Sequence, residues 1–243
     1  MTGPPCRAIL RERRELLRLA VLADVHHNLP ALEVVVEDFR SRGVDGVVGV
    51  GDYLLRGPFP QETMDLLRPL DAGWVRGNTD GYVLEYAAGQ PHDAWYTSGQ
   101  AASLRSTHEH VDHQRQDHLA SLPEQMVVHT EGTEPVRPVH GRPDDPMGRL
   151  VADGGSEALC RFRRAGFLDE VSTSPDLDAT TTETHESVVI CGHTHIPWSQ
   201  QPPGWLVVNP RAASGSLNED PRAHYALLSW TEACWTVEHR AVA

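Results

Sequence analysis

Leu19-Ala20-Val21-Leu22-Ala23, running directly into Asp24-Val25-His26, is a short apolar stretch that ends on a carboxylate and an imidazole. Such runs, with turn residues behind them, mark central strands of a sheet covered on both faces. The arrangement recurs down the chain. Val47-Val48-Gly49-Val50 leads into Gly51-Asp52, Trp74-Val75 into Gly77-Asn78-Thr79-Asp80, and Val188-Val189-Ile190-Cys191 into Gly192-His193-Thr194-His195. His140-Gly141 adds a fifth polar motif. In open α/β sheets ligands gather beyond the carboxyl ends of strands, so these residues stand where a site forms.

The donor set is specific. Two neighbouring divalent metals need hard oxygen and imidazole ligands converging on two points, with one carboxylate able to bridge them. Asp24 and His26, two apart at a strand end, share a face in strict alternation and can turn toward one ion where the chain leaves strand geometry.

The ordered set D-x-H, G-D, G-N-x-D, H-G and G-H-x-H resembles the calcineurin-like metallophosphoesterase superfamily, with spacing similar to its bacterial phosphodiesterase branch. The resemblance spans about Leu19 to Leu228 and includes Gly57-Pro58-Phe59-Pro60 and Val207-Val208-Asn209-Pro210. It implies a four-layer αββα sandwich of two mixed β-sheets flanked by helices. By the same resemblance Asp24, His26 and His195 bind a first metal, Asp52 bridges, and Asn78, His140 and His193 complete a second site. The implied reaction is phosphodiester hydrolysis by a metal-bridging hydroxide on a small phosphate-ester substrate. The implied cofactors are two divalent ions among Mn, Fe, Zn, Ni and Co, with Mn favoured. Phosphomonoester or phosphoprotein hydrolysis is the alternative within enzymes, and a non-catalytic metal-binding scaffold the alternative outside them.

Three positions sit at the rim. Arg56, in Gly51-Asp52-Tyr53-Leu54-Leu55-Arg56-Gly57, is similar to a phosphate-contacting arginine of the phosphoprotein phosphatases, against the reading of a surface salt bridge. Thr79 stands where the superfamily often carries His, and a hydroxyl is a poor general acid near neutral pH. His27, where the first motif usually continues with Gly, is either a substitute acid or a residue that faces solvent or caps the following helix.

The 243 residues fit one α/β domain over 19–243, with 1–18 as an Arg-rich extension. Helices are predicted near Pro30 to Arg42 and Pro60 to Leu70, a largely helical region over Gly81 to Gln125, and a strand pair over Met126 to His140. A short helix is expected over Ser156 to Arg164 and a polar loop over Ser172 to Glu186. Trp205 to Val208, Tyr225 to Trp230 and Cys234 to His239 read as antiparallel strands. No run approaches a membrane span and no apolar leader core is visible, so a cytoplasmic protein is expected. The four cysteines lack C-x-x-C spacing and read as reduced thiols. A formal charge of −13 argues against general nucleic-acid binding.

Overall fold

The structure is a computed structural model, and it describes residues 7–10, 17–70, 72–90, 100–142, 148, 150, 187–201, 205–215, 220–231 and 234–243. Strands β2 (Leu17–Leu22), β3 (Gly46–Val50) and β4 (Ala72–Val75) run parallel. Helices α1 (Leu29–Ser41) and α2 (Pro60–Leu67) make the crossovers that parallel neighbours require. Both helices open on proline in their first turn, where its missing N–H costs nothing. Strands β10 (Ala223–Thr231) and β11 (Cys234–Val242) close this sheet on its β2 edge in the order β11-β10-β2-β3-β4.

The second sheet has the order β1-β5-β6-β7-β9-β8. It contains β1 (Arg7–Leu10), β5 (Val127–Thr130), β6 (Val136–Pro138), β7 (Val188–Ile190), β8 (Trp198–Gln200) and β9 (Leu206–Asn209). Leu19, Val21, Val48 and Val50 of one sheet meet Val188, Ile190 and Val208 of the other in a fully buried layer. On the outer face of the first sheet, Ala20, Leu22 and Leu227 meet Leu32, Val35, Phe39, Met64 and Leu67 of α1 and α2. Two mixed sheets flanked by helices are therefore present, as the sequence leads one to expect. Helices α3 (Asn78–Ala87), α4 (Gln100–His110) and α5 (His113–Ser121) lie in the region read as helical, of which 91–99 are outside the described residues.

Three details depart from the sequence reading. Within the stretch taken as an extension, Arg7–Leu10 is an edge strand parallel to β5, and β2 begins at Leu17 rather than Leu19. Strand β9 lies in the second sheet, antiparallel to β8 on one side but parallel to β7 on the other, rather than beside β10 and β11. All four of its residues are buried, which suits a central strand covered on both faces. The helix expected over 156–164 and the polar loop over 172–186 lie outside the described residues. Among the described residues no helix is long and apolar enough to cross a membrane.

Asp38 ties α1 to the first sheet. It accepts hydrogen bonds from Arg42 Nε at 2.9 Å and from the Tyr225 hydroxyl at 2.5 Å, with Arg240 Nε at 3.6 Å. The Arg42 hydrogen bond, opposed by burial, holds its carboxyl below the usual range. A depressed folded-state pKa contributes stability above the unfolded value of about 4, and that stability is lost as pH falls through the folded value. Asp38→Asn should therefore lower stability at neutral pH by about 1 kcal/mol or less and flatten the acid limb of a Tm-versus-pH profile. An unchanged acid limb would remove Asp38 from this role.

Candidate metal centre

The residues after β2, β3, β6 and β7 converge at the carboxyl ends of these strands. They do so by abandoning strand geometry. Asp24, His26, His27, Asp52, His193 and His195 all adopt left-handed backbone, with φ of 54°, 50°, 57°, 57°, 65° and 58°. Each such residue costs about 1 kcal/mol or more, and strain of this kind persists where surrounding structure over-determines it, typically at functional sites. Gly51, at φ 86°, shows the crowding: a Cβ there would lie 2.5 Å from Gly77 N and 2.9 Å from His140 Nδ1.

The side chains meet in two groups that share a member. Asp24, His26 and His195 form one, and Asp24, Asp52 and His140 the other, each with donor atoms within 4.8 Å of one another. His26 Nε2 faces His195 Nε2 at 3.1 Å, and His195 Nε2 lies 3.4 Å from Asp24 Oδ1. Asp52 turns Oδ2 toward His26 Nε2 at 3.8 Å and Oδ1 toward His140 Nε2 at 3.3 Å. Asn78 Oδ1 stands 3.0 Å from both His140 Nε2 and His193 Nδ1. All seven residues singled out in the sequence are thus brought together. Asp24 as well as Asp52 lies between the two groups, where the resemblance gave only Asp52 a bridging place.

The donor set fits divalent cations. Asp24 Oδ2 is buried and accepts no hydrogen bond. His26 Nδ1 faces the Leu54 carbonyl at 3.2 Å and His140 Nδ1 the Val50 carbonyl at 2.7 Å, so donation outward leaves each Nε2 lone pair directed inward. Burial would raise the Asp52 pKa, yet the His140 and His26 imidazoles hold it well below the usual carboxylate range. Burial would lower His140, and the Asp52 and Asp24 carboxylates win, pushing it up to about 10. The carboxylates draw positive charge into the cluster, which a proton on His140 supplies in the metal-free protein and a divalent cation can supply in its place.

The family model of the calcineurin-like phosphoesterase superfamily domain matches residues 17–233. The chain belongs to that superfamily. A metallophosphoesterase from Sphaerobacter thermophilus superposes with a TM-score of 0.65 at 26% identity, covering 93% of this chain and 89% of that one. A hypothetical protein from Pyrococcus horikoshii OT3 gives 0.72 at 20% identity, covering 93% and 88%. An uncharacterized protein of Methanocaldococcus jannaschii is 25% identical over 191 residues, 79% of this chain and 68% of its own length. The superfamily is metal-dependent, and the clustered Asp and His residues supply what such a centre needs.

Against that superfamily pattern, the rim residues find distinct places. His27 is fully buried; its Nε2 accepts the Leu55 N–H at 3.1 Å and its Nδ1 faces the Gly57 carbonyl at 3.3 Å. Burial pulls its pKa down to about 4. Both ring nitrogens are engaged by the backbone, which argues against the reading of His27 as general acid; its burial corrects the solvent-facing reading, and Asn28 caps α1 in its place. It clasps the loop that carries Arg56. His27→Ala should lower stability by about 2 kcal/mol or more through two orphaned backbone groups, with an activity loss equal for good and poor leaving groups. A loss confined to poor leaving groups would restore the acid. Thr79 is also spent, its hydroxyl donating to Leu54 O at 3.1 Å and its N–H to Asp52 Oδ1 at 2.9 Å. Arg56 is exposed and lines a cleft of about 720 Å³ together with His26 and His195. Its charge reaches His26, whose pKa is lowered chiefly by burial and further by Arg56.

Two supporting residues carried no assigned role in the sequence reading. Asp80 accepts the N–H groups of Tyr53 and Leu54 on Oδ1 and those of Asp52 and Gly77 on Oδ2, at 2.9–3.1 Å. Burial beside the Asp52 carboxylate pushes its pKa up, to about 7, while these donors favour the ionised form. Asn209 donates to Gly192 O at 2.7 Å and accepts the Arg211 N–H at 3.0 Å, pinning the turn that carries His193 and His195. The motif letters G-N-x-D and N-P contained both residues, but only the hydrogen bonds reveal the work.

Proposed function

We propose that this phosphoester hydrolase is a dinuclear enzyme that cleaves phosphodiesters, with Asp24, His26, His195, Asp52, Asn78, His140 and His193 as ligands. The observation that carries the reading is the pair of donor groups meeting at Asp24, whose Oδ2 is buried without a partner. When bound, a divalent pair supplies Lewis acidity to the phosphoryl oxygens and lowers the pKa of water. Arg56 offers its planar fork to a non-bridging oxygen from the cleft. Among the described residues lining that cleft it is the one Lys or Arg. A single cation matches the single charge of a diester better than the two charges of a monoester.

Metal stripping should abolish hydrolysis and Mn²⁺ should be among the ions restoring it, since Asp24, Asp52 and Asn78 supply hard oxygen donors beside the imidazoles. Reloaded protein should prefer bis(p-nitrophenyl) phosphate over p-nitrophenyl phosphate in kcat/KM. Preference for the monoester would transfer the reading to a phosphomonoesterase or phosphoprotein phosphatase. Tight metal content with no ester hydrolysed would make the chain a scaffold.

The proton for the leaving group has no side-chain source at position 27 or 79. The rate should therefore climb steeply with leaving-group acidity across a series of substituted aryl esters. A flat series, with chemistry rate-limiting, would reveal a donor elsewhere.

A further inference from the structure

The loop between β3 and α2 is held in an unusual shape beside the metal centre. Leu55 and Arg56 are consecutive non-glycine residues in left-handed backbone, at φ 69° and 80°. His27 grips the loop from behind at Leu55 N–H and Gly57 O, and Ser103 Oγ of α4 accepts the Arg56 N–H at 3.1 Å. Gly57 fits under this clasp only for want of a side chain, since a Cβ there would lie 2.5 Å from His26 O. Strain secured by two independent elements fixes what the loop presents.

It presents Arg56, Pro58 and Phe59 to the cleft that opens at His26 and His195. Phe59 is one of two large hydrophobic residues exposed among those described, at 37%. Pro30 and Pro221 line the same cleft. Asn28 ties its walls together by donating to Ser214 O at 2.9 Å while its Oδ1 caps α1 at Ala31 N–H, 3.3 Å away. A cleft that offers the Arg56 cation, an exposed ring and proline walls, with the Asp220 carboxylate that also lines it already paired to Arg222, suits a flat apolar group attached to an anion. A volume of about 720 Å³ is within the range of small-molecule sites and can hold a nucleoside.

We propose that this cleft is a subsite for a planar aromatic group esterified to the phosphate, a nucleobase or an aryl ring, with Phe59 as its stacking platform and Arg56 on the phosphate. The assignment rests on the phosphoesterase reading for the place of the phosphate. It makes Phe59 a specificity residue, and the ring contact is tolerant of ring identity because every such group has a π face.

Phosphonates, whose C–P bond is not hydrolysed, test this by binding alone. Calorimetry on Mn-loaded protein would compare phenylphosphonate and an adenine-bearing alkylphosphonate with cyclohexylphosphonate, which has similar bulk but no flat face. The aromatic ligands should bind roughly tenfold more tightly, on the scale of one ring stack, and the tighter of the two separates aryl from nucleobase substrates. Phe59→Ala should erase that ratio and Phe59→Trp should keep it. Equal affinity for the flat and puckered rings, a ratio unchanged in Phe59→Ala, or no binding of either aromatic phosphonate would overturn the subsite. Ring preference without hydrolysis of any ester would instead sink the phosphoesterase reading and leave the subsite standing. Hydrolysis without ring preference would do the reverse.

Discussion

Asp52→Asn should lower kcat/KM by about 10³-fold or more while the metal-free protein unfolds at nearly the parental temperature. The activity loss follows from position. Asp52 directs one oxygen toward His140 and the other toward His26, so one substitution removes charge from both halves of the centre. Several kcal/mol of lost charge stabilisation corresponds to that factor. The fold should survive because the Asn oxygen can still accept the Thr79 N–H that Asp52 Oδ1 accepts at 2.9 Å. Activity within tenfold of the parent, with metal content retained, would show that Asp52 does not sit between two ions.

Asp80→Asn should do the opposite, lowering stability first and activity as a consequence. One carboxylate oxygen receives Tyr53 and Leu54 N–H, the other Asp52 and Gly77 N–H. An amide keeps one acceptor and points an NH₂ group at the other two donors. Two buried N–H groups without acceptors cost about 1–3 kcal/mol each, about 2–6 kcal/mol together, so a loss on the order of 3 kcal/mol is expected. For a domain of this size that is a fall in Tm of about 6–12 °C. Metal content should fall with it, because the same hydrogen bonds place the backbone of Asp52 and the start of α3 at Asn78. A variant as stable as the parent would mean that the loop keeps its shape without Asp80. The paired outcomes distinguish a ligand from the residue that positions it.

The fold and the candidate ligands were legible in the sequence for one reason. Buried parallel strands are short apolar runs, and Asp24, Asp52, Asn78 and the His193–His195 pair each follow such a run by one to five residues. Strand register then brings them together without any further signal. What stayed hidden depends on backbone direction and on single hydrogen bonds. His27 follows a ligand-type histidine and looks like chemistry, yet three left-handed residues between Asp24 and His27 rotate it into the core. Asp80 reads as the last letter of a motif, and its four N–H partners come from residues 3 to 28 positions away. The place of β9 beside β7 is likewise a tertiary fact, decided by burial on both faces rather than by its four-residue sequence.

The central claim is that two divalent ions sit between Asp24, Asp52 and the four histidines His26, His140, His193 and His195. Titrating metal-free protein with Mn²⁺ while following both bound ion and diester hydrolysis tests it most directly. About two ions per chain, with turnover appearing only as the second is taken up, is the expected result. Full turnover at one ion per chain, or in protein stripped of metal, would contradict it.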